Sequence, residues 1–254
     1  MSNYKVKTKY KGPVATQYDV KRSSNPKWEK EIEIVDRILK TIPSKMSIMD
    51  LPLGTGRFLK SYEGEGHKVF GLDVSFDMLI QARSKPESKK LDPVMLVGDA
   101  ERIPLKKNAL DYIVSIRLVN WISTQVFNEM LKEFSRVTKS GMVLSIRVKR
   151  KTSPIDFLKY VALDLLPTDY NRTKWRRNYK KTIKKMISGL LGKKSPNSFL
   201  KGYTVHCEKR VLELFEESGF IVKEVETVEN YIDYGTLELR PYLIYTLEKG
   251  ANNI

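Results

Sequence analysis

Apolar residues along this chain recur at two periods, one helical and one strand-like. From 32 to 42, IEIVDRILKTI places them at helical spacing, and Pro43 and Ser44 close the segment. SIMDLPLG then reads as a short buried strand ending in a glycine turn. Arg57 to Tyr62 begins a further helix, and HKVFGLDV is the second strand. Ser75 is suited to cap FDMLIQARSK, with Asp77 in its first turn. VMLVGDA and ALDYIVSI are the third and fourth strands. Residues 124–138, TQVFNEMLKEFSRVT, predict an amphipathic helix ended by Lys139, Ser140 and Gly141, and MVLSIRV is the fifth strand. Residues 150–201 break the rhythm with basic, helix-compatible sequence. It resumes with EKRVLELFEESGF, a helix closed by Gly219, and then with two closing strands, IVKEVETVEN and PYLIYTLEK. Strands alternating with helices predict an α/β fold: a Rossmann-like, seven-stranded, mostly parallel sheet with helices on both faces, plus a basic helical insert after strand five.

Composition narrows the class. The chain has 254 residues, 41% of them hydrophobic, which suffices for one sizeable core and excludes collagen-like and globally disordered chains. It reads as a single domain, 1–254, with a basic arm and helix at 1–43 and the insert at 150–201. One cysteine, Cys207, cannot form an internal disulfide, and with only His67 and His206 beside it no Cys/His zinc cluster can form. The start, MSNYKVKTKYKG, has no apolar run, and no stretch reaches the length of a membrane span. A reducing, cytoplasmic setting is expected, with contact to a membrane only at its surface.

Charge is uneven. The net charge is +16, from 46 Lys and Arg against 30 Asp and Glu. Residues 1–30 carry 8 basic and 2 acidic residues, and 149–201 carry 15 and 3. The remainder holds 23 basic and 25 acidic residues, so the excess belongs to two segments.

The sharpest motif is IMDLPLGTGRF at 48–58, a buried strand running into Gly54-Thr55-Gly56. Glycines allow a tight turn and close approach of a ligand to the backbone. Asp73 ends the second strand 17 residues after Gly56, where an acid can accept from both ribose hydroxyls, and Asp99-Ala100 ends the third, where it can meet an adenine amino group. These strand ends converge on one edge of the sheet and fit a nucleoside. A dinucleotide site prefers a third glycine where Leu59 stands, and a P-loop needs Gly-Lys-Ser/Thr where Gly56-Arg57 stands.

On these residues the chain resembles the class I S-adenosylmethionine-dependent methyltransferases, from about Tyr18 to Lys249 apart from the insert. The resemblance implies S-adenosylmethionine as cofactor. It assigns Asp50, Gly54 and Gly56, with Leu51, Pro52 and Thr55 between and beside them, to the methionine and ribose part, and Asp73 with Val74 to the ribose. Met78, Asp99, Ala100 and Glu101 fall at the adenine, and Ser115 and Arg117 at the ligand end of the fourth strand. Tyr18-Asp19…Arg22…Trp28…Glu31 resembles an N-terminal element that folds over the cofactor in the small-molecule branch. Two features depart from the pattern. Pro52 replaces the first motif glycine, and the Asn/Asp-Pro-Pro-Tyr/Phe signature of amino methyltransferases acting on nucleic acid is absent, Arg117-Leu118-Val119-Asn120-Trp121 standing in its place.

Methyl transfer from a sulfonium needs alignment more than a triad, because the leaving group is already activated. Candidate acceptor-side residues are Tyr18, Arg117, Asn120, Trp121, Tyr203 and His206, with Tyr18, Arg117 and His206 the candidate catalytic groups. Arg117 can clamp an anionic acceptor or the cofactor's own carboxylate. The insert contains WRRNYKKTIKKMISGLLGKK at 175–194, with Ile183, Ile187, Leu190 and Leu191 at helical spacing among basic residues. Such a helix suits an anionic membrane surface, its neighbours Tyr170, Trp175 and Tyr179 suit an RNA backbone, and a solvated basic face packed onto the domain fits equally. The expected function is methyl transfer to an anionic acceptor, a small molecule, lipid or glycan. The alternatives are an RNA methyltransferase and a non-catalytic nucleoside-binding protein that holds RNA or membrane.

Overall fold

The computed structural model describes residues 10, 12–23, 25–151 and 203–250, apart from 234, 235 and 237, together with isolated positions between 151 and 203. Most of the predicted insert, including Tyr170, Trp175 and Tyr179 and the 175–194 helix except Ile187, therefore lies outside the described residues, as do residues 1–9.

The sheet has the order β3-β2-β1-β4-β5-β10-β7, from β1 (Ser47–Asp50), β2 (Lys68–Asp73), β3 (Val94–Val97), β4 (Leu110–Ser115), β5 (Thr138–Lys149), β7 (Phe220–Glu229) and β10 (Tyr242–Lys249). Neighbours from β3 to β5 pair in parallel, and β10 runs antiparallel to both β5 and β7. The seven expected strands are all present. An eighth, β6 (His206–Cys207), pairs in parallel with the end of β5, and β8 (Ile232–Asp233) with β9 (Glu238–Leu239) forms a separate hairpin.

Strand alternation divides the core between two faces. Ile48, Val143 and Ile244 point to a cluster with Ile34, Val35, Ile38 and Leu39 of α2 (Pro26–Leu39) and Leu79 and Ala82 of α3 (Phe76–Arg83). Their neighbours Met49, Leu144 and Tyr245 point the other way, onto Phe127, Leu131 and Phe134 of α5 (Thr124–Val137) and Leu214 and Phe215 of α6 (Glu208–Glu217). Helices thus cover both faces, as the alternation predicts.

Three local boundaries differ from the reading of the sequence. Helix α2 starts at Pro26 rather than 32, because Asn25 caps it and proline suits the first turn. The segment after the glycine turn closes only a short 3₁₀ turn, Leu59–Tyr62, before Gly64 and Gly66 enter positive φ. Two short helices were not expected, α1 (Pro13–Thr16) and α4 (Pro86–Leu91). No described helix is long and apolar enough to cross a membrane.

Candidate functional site

The carboxyl ends of the parallel strands open into a cavity of about 330 Å³. The turn after β1 forms its floor. Gly54 (φ 57°) and Gly56 (φ 72°) both adopt the left-handed region, which glycine enters without the Cβ penalty. Asp73, at the end of β2, fastens this turn: one carboxylate oxygen accepts from Gly54 N–H and the other from Ser75 N–H, both at 2.8 Å. Burial raises the Asp73 pKa although both bonds oppose the shift. Each oxygen keeps a lone pair, and the residue lines the cavity.

The N-terminal arm closes over this floor. Thr55 Oγ1 donates to Asp19 at 2.6 Å, and Lys85 Nζ lies 2.8 Å from the same carboxylate. Gly12 N–H donates to Asp77 at 2.7 Å, and Ser75 Oγ donates to the Tyr10 carbonyl. The arm thereby brings Tyr10, Tyr18 and Arg22 to the cavity wall, with the Arg22 guanidinium 3.9 Å from the Tyr18 ring centroid. Burial raises the pKa of both tyrosines and keeps their hydroxyls protonated.

Behind the arm lies a buried charge cluster. Glu31 of α2 has no exposed surface, and it receives Arg57 Nη1 at 2.5 Å and Arg117 Nε at 2.8 and 2.9 Å. Both guanidinium groups stack on Trp28, at 4.3 and 5.2 Å from its ring centroid. Arg117 itself sits at φ 69°, an uncommon backbone state for a side chain of this size. It is held there by its N–H, which donates to Ser145 Oγ at 2.7 Å, while Tyr242 donates to the same oxygen at 2.8 Å. Burial opposes the Arg117 charge, but Glu31 outweighs it and holds the pKa above the ordinary value.

Across the cavity, at the ends of β4 and β5, Trp121 and Tyr203 pair with ring centroids 4.7 Å apart. Asn120 fixes this corner: its side-chain carbonyl accepts from Arg147 N–H at 2.6 Å and its backbone carbonyl from Thr204 N–H at 2.7 Å.

The cavity gathers Tyr18, Arg22, Trp28, Leu51, Pro52 and Gly54 of the expected site residues. It also gathers Thr55, Asp73, Val74, Met78, Ala100 and Arg117, along with the acceptor-side candidates Asn120, Trp121 and Tyr203. Six others stand outside its lining. Asp50 is buried beneath the turn beside Tyr62 and Arg57, and burial raises its pKa well above the carboxylate range. Gly56 is packed against Leu59 and Ala82. Asp99 turns back to accept from Glu101 N–H at 3.2 Å, so Gly98 and Ala100 supply the third-strand wall instead. Ser115 is fully buried behind the end of β4. His206 is committed to the core, with Nδ1 3.0 Å from Thr124 Oγ1 and Nε2 3.1 Å from the Val119 carbonyl. The carbonyl can only accept, so Nε2 carries the proton, and burial lowers the pKa of the ring. The expectation that His206 faces an acceptor does not match this position.

Sequence reasoning missed Lys27, Arg57, Arg147 and Tyr242, all in the cavity wall. For Arg147 a signal existed, since it is an arginine within the apolar strand MVLSIRV.

Residues 48–141 match the family model of a methyltransferase domain. Among curated proteins, the malonyl-[acyl-carrier protein] O-methyltransferase of Hamiltonella defensa is 32% identical over 100 residues, covering 39% of this chain and 36% of that protein. The demethylmenaquinone methyltransferase of Bacillus mycoides is 32% identical over 138 residues, covering 50% of this chain and 55% of that protein. The chain thus spans between about a third and a half of these relatives' lengths. Among solved structures, magnesium protoporphyrin IX methyltransferase from Synechocystis PCC 6803, with bound SAH, superposes with a TM-score of 0.56 at 15% identity. That match covers 87% of this chain and 84% of the other, and it shows a shared fold.

Proposed function

We propose, on the premise that residues 48–141 form a class I S-adenosylmethionine-dependent methyltransferase domain, that the chain methylates a small anionic acceptor. The observation that carries this reading is one cavity whose lining combines Asp73, Gly54 and Ala100, at the ends of the first three strands, with Asn120, Trp121 and Arg147, near the ends of β4 and β5.

The residues present fit the cofactor. Asp73 keeps acceptor capacity for ribose hydroxyls beside the turn. Met78, Gly98 and Ala100 offer a slot for a flat base. Arg22 lines the cavity with a buried Nη1 that has no hydrogen-bond partner among the described residues, which suits the methionine carboxylate. Bound S-adenosylmethionine supplies a methyl group on a positively charged sulfur.

The chain's own work is alignment and exclusion of water. Tyr10 and Tyr18 on the arm cover the cofactor end. Tyr18, protonated because burial raises its pKa, orients by donating a hydrogen bond and does not act as a base. Arg117, tied to Glu31 and Trp28, sets a fixed guanidinium in the cavity wall. No described histidine lines the cavity, which favours an acceptor that needs no proton removed. The two curated relatives are named for acyl-carrier-protein and quinone substrates, which supports the small-molecule branch for this chain.

The test is calorimetric binding of S-adenosylmethionine, followed by transfer of labelled methyl into a cell extract. Micromolar binding and label in a small acid are expected. No binding by the intact chain sinks the reading. The 15 basic residues in 149–201 favour a second reading, in which the acceptor is presented by RNA or an anionic membrane. Deleting 170–194 and measuring retention on RNA and on phosphatidylserine vesicles separates these. Unchanged retention on both rejects the second reading.

A further inference from the structure

Arg147 stands near the end of β5 with 7% of its surface exposed, and it lines the cavity. Its Nε and Nη1 are buried and have no hydrogen-bond partner among the described residues. Its Nη2 lies 3.6 Å from Glu229, beyond hydrogen-bond length, and Lys27 holds that same carboxylate at 2.5 Å. The guanidinium carbon sits 5.1 Å from the Tyr242 ring centroid, and the backbone N–H is fixed by Asn120. The side chain is therefore well supported while most of its donors are unused. A buried donor left unpaired is destabilising. Such an arrangement fits a group that is satisfied only when a ligand is present.

The other cavity arginines divide the remaining tasks. Arg57 and Arg117 share the one carboxylate of Glu31. Arg22 belongs to the arm that is bonded to Thr55 in the turn after β1. Strand β5 lies two places from β1 in the sheet, roughly 10 Å away at the ordinary strand spacing. The cofactor's carboxylate is assigned above to Arg22, which leaves Arg147 for an anion of the acceptor.

We propose that Arg147 anchors an oxyanion of the methyl acceptor, a carboxylate or a phosphate, on a compound whose flat apolar body lies along Trp121, Tyr203 and Tyr242. The inference rests on the methyltransferase reading and names the substrate class of that site. Arg147 acts by binding. Glu229 weakens the anchor by sharing its charge, and this predicts that removing Glu229 strengthens anion binding.

The experiment titrates the full chain, with and without saturating S-adenosylhomocysteine, with benzoate, phenyl phosphate and neutral benzamide, following binding by calorimetry. One of the two anions is expected to saturate, at least tenfold tighter than benzamide. The preferred anion distinguishes carboxylate from phosphate. Arg147→Gln should lose at least tenfold in that affinity while S-adenosylmethionine affinity stays within twofold. Glu229→Gln should bind the anion severalfold tighter. Should Arg147→Gln not fold, the Glu229→Gln result decides: tighter binding supports the anchor, and unchanged or weaker binding overturns it. The proposal is also overturned if neither anion outbinds benzamide, if Arg147→Gln leaves anion binding unchanged, or if that variant loses cofactor affinity in parallel. Failure of the wild type to bind S-adenosylmethionine, with anion binding intact, rejects the methyltransferase reading and leaves the oxyanion site standing.

Discussion

Replacing Glu31 by glutamine isolates the charge cluster that shapes the site. The carboxylate has no exposed surface, whereas the side chains of Arg57 and Arg117 are 9% and 25% exposed. Glutamine keeps the volume and one acceptor but leaves two guanidinium ions stacked on one indole. Removing one partner of a buried pair costs about 3–5 kcal/mol, and the partial exposure of Arg117 places the effect near 3 kcal/mol. For a domain of this size each kcal/mol moves the melting temperature by about 2–4 °C, so Glu31→Gln should melt about 6–12 °C below wild type. Circular dichroism in low-salt buffer measures this. Adding sulfate should recover part of the loss, because an anion can enter the vacated place between the arginines. A loss below 2 °C, or no response to sulfate beyond that of wild type, would refute the assignment of Glu31 as the counter-charge that holds both arginines.

Three further tests address single residues. Asp73→Ala should weaken S-adenosylmethionine by at least about 30-fold, roughly 2 kcal/mol, since the turn loses its Gly54 bond and the ribose its acceptor; unchanged affinity in calorimetry rejects the ribose role. Gly56→Ala places a Cβ 2.5 Å from Leu59 and should cost about 1–3 kcal/mol in urea unfolding, more than Gly54→Ala, whose Cβ meets only Met78 at 3.7 Å; equal losses contradict the packing difference. His206 has a lowered pKa in the folded chain, so between that value and about 6.5 the unfolded chain binds more protons. Its contribution is complete above pH 6.5 and is lost as pH falls. His206→Gln should flatten the stability difference between pH 7.5 and 5.5, and an unaltered slope in the variant would sink the prediction.

Where one periodic pattern ran without interruption, the sequence was enough. Strand β10 begins one residue after the start of PYLIYTLEK, and α5 ends within one residue of the predicted 124–138. Boundaries slipped where a start signal stood outside the pattern, as with Asn25-Pro26 ahead of α2. At the site, spacing located the strand ends but not the direction of each side chain. Asp73 faces the cavity, while Asp50, equally terminal on its strand, is buried under the turn. Spacing could not separate them, because the turn after β1 folds back above Asp50 and leaves Asp73 at its rim.

Charge shows the same limit. The +16 total points to the two basic segments, yet Arg57, Arg117 and Arg147 come from the part of the chain whose charges nearly cancel. What the cavity presents depends on which of these meet carboxylates. Glu31 takes two of them, and Glu229 is held more closely by Lys27 than by Arg147. One deeply buried guanidinium is left facing the ends of β4 and β5 with unused donors. That pairing arises where Lys27 of α2 and Arg147 of β5 meet Glu229 of β7, residues 202 and 82 positions apart in the chain, and no local reading of sequence contains it. The proposed anionic acceptor would therefore be selected by the fold of the near-neutral core, independent of the basic insert.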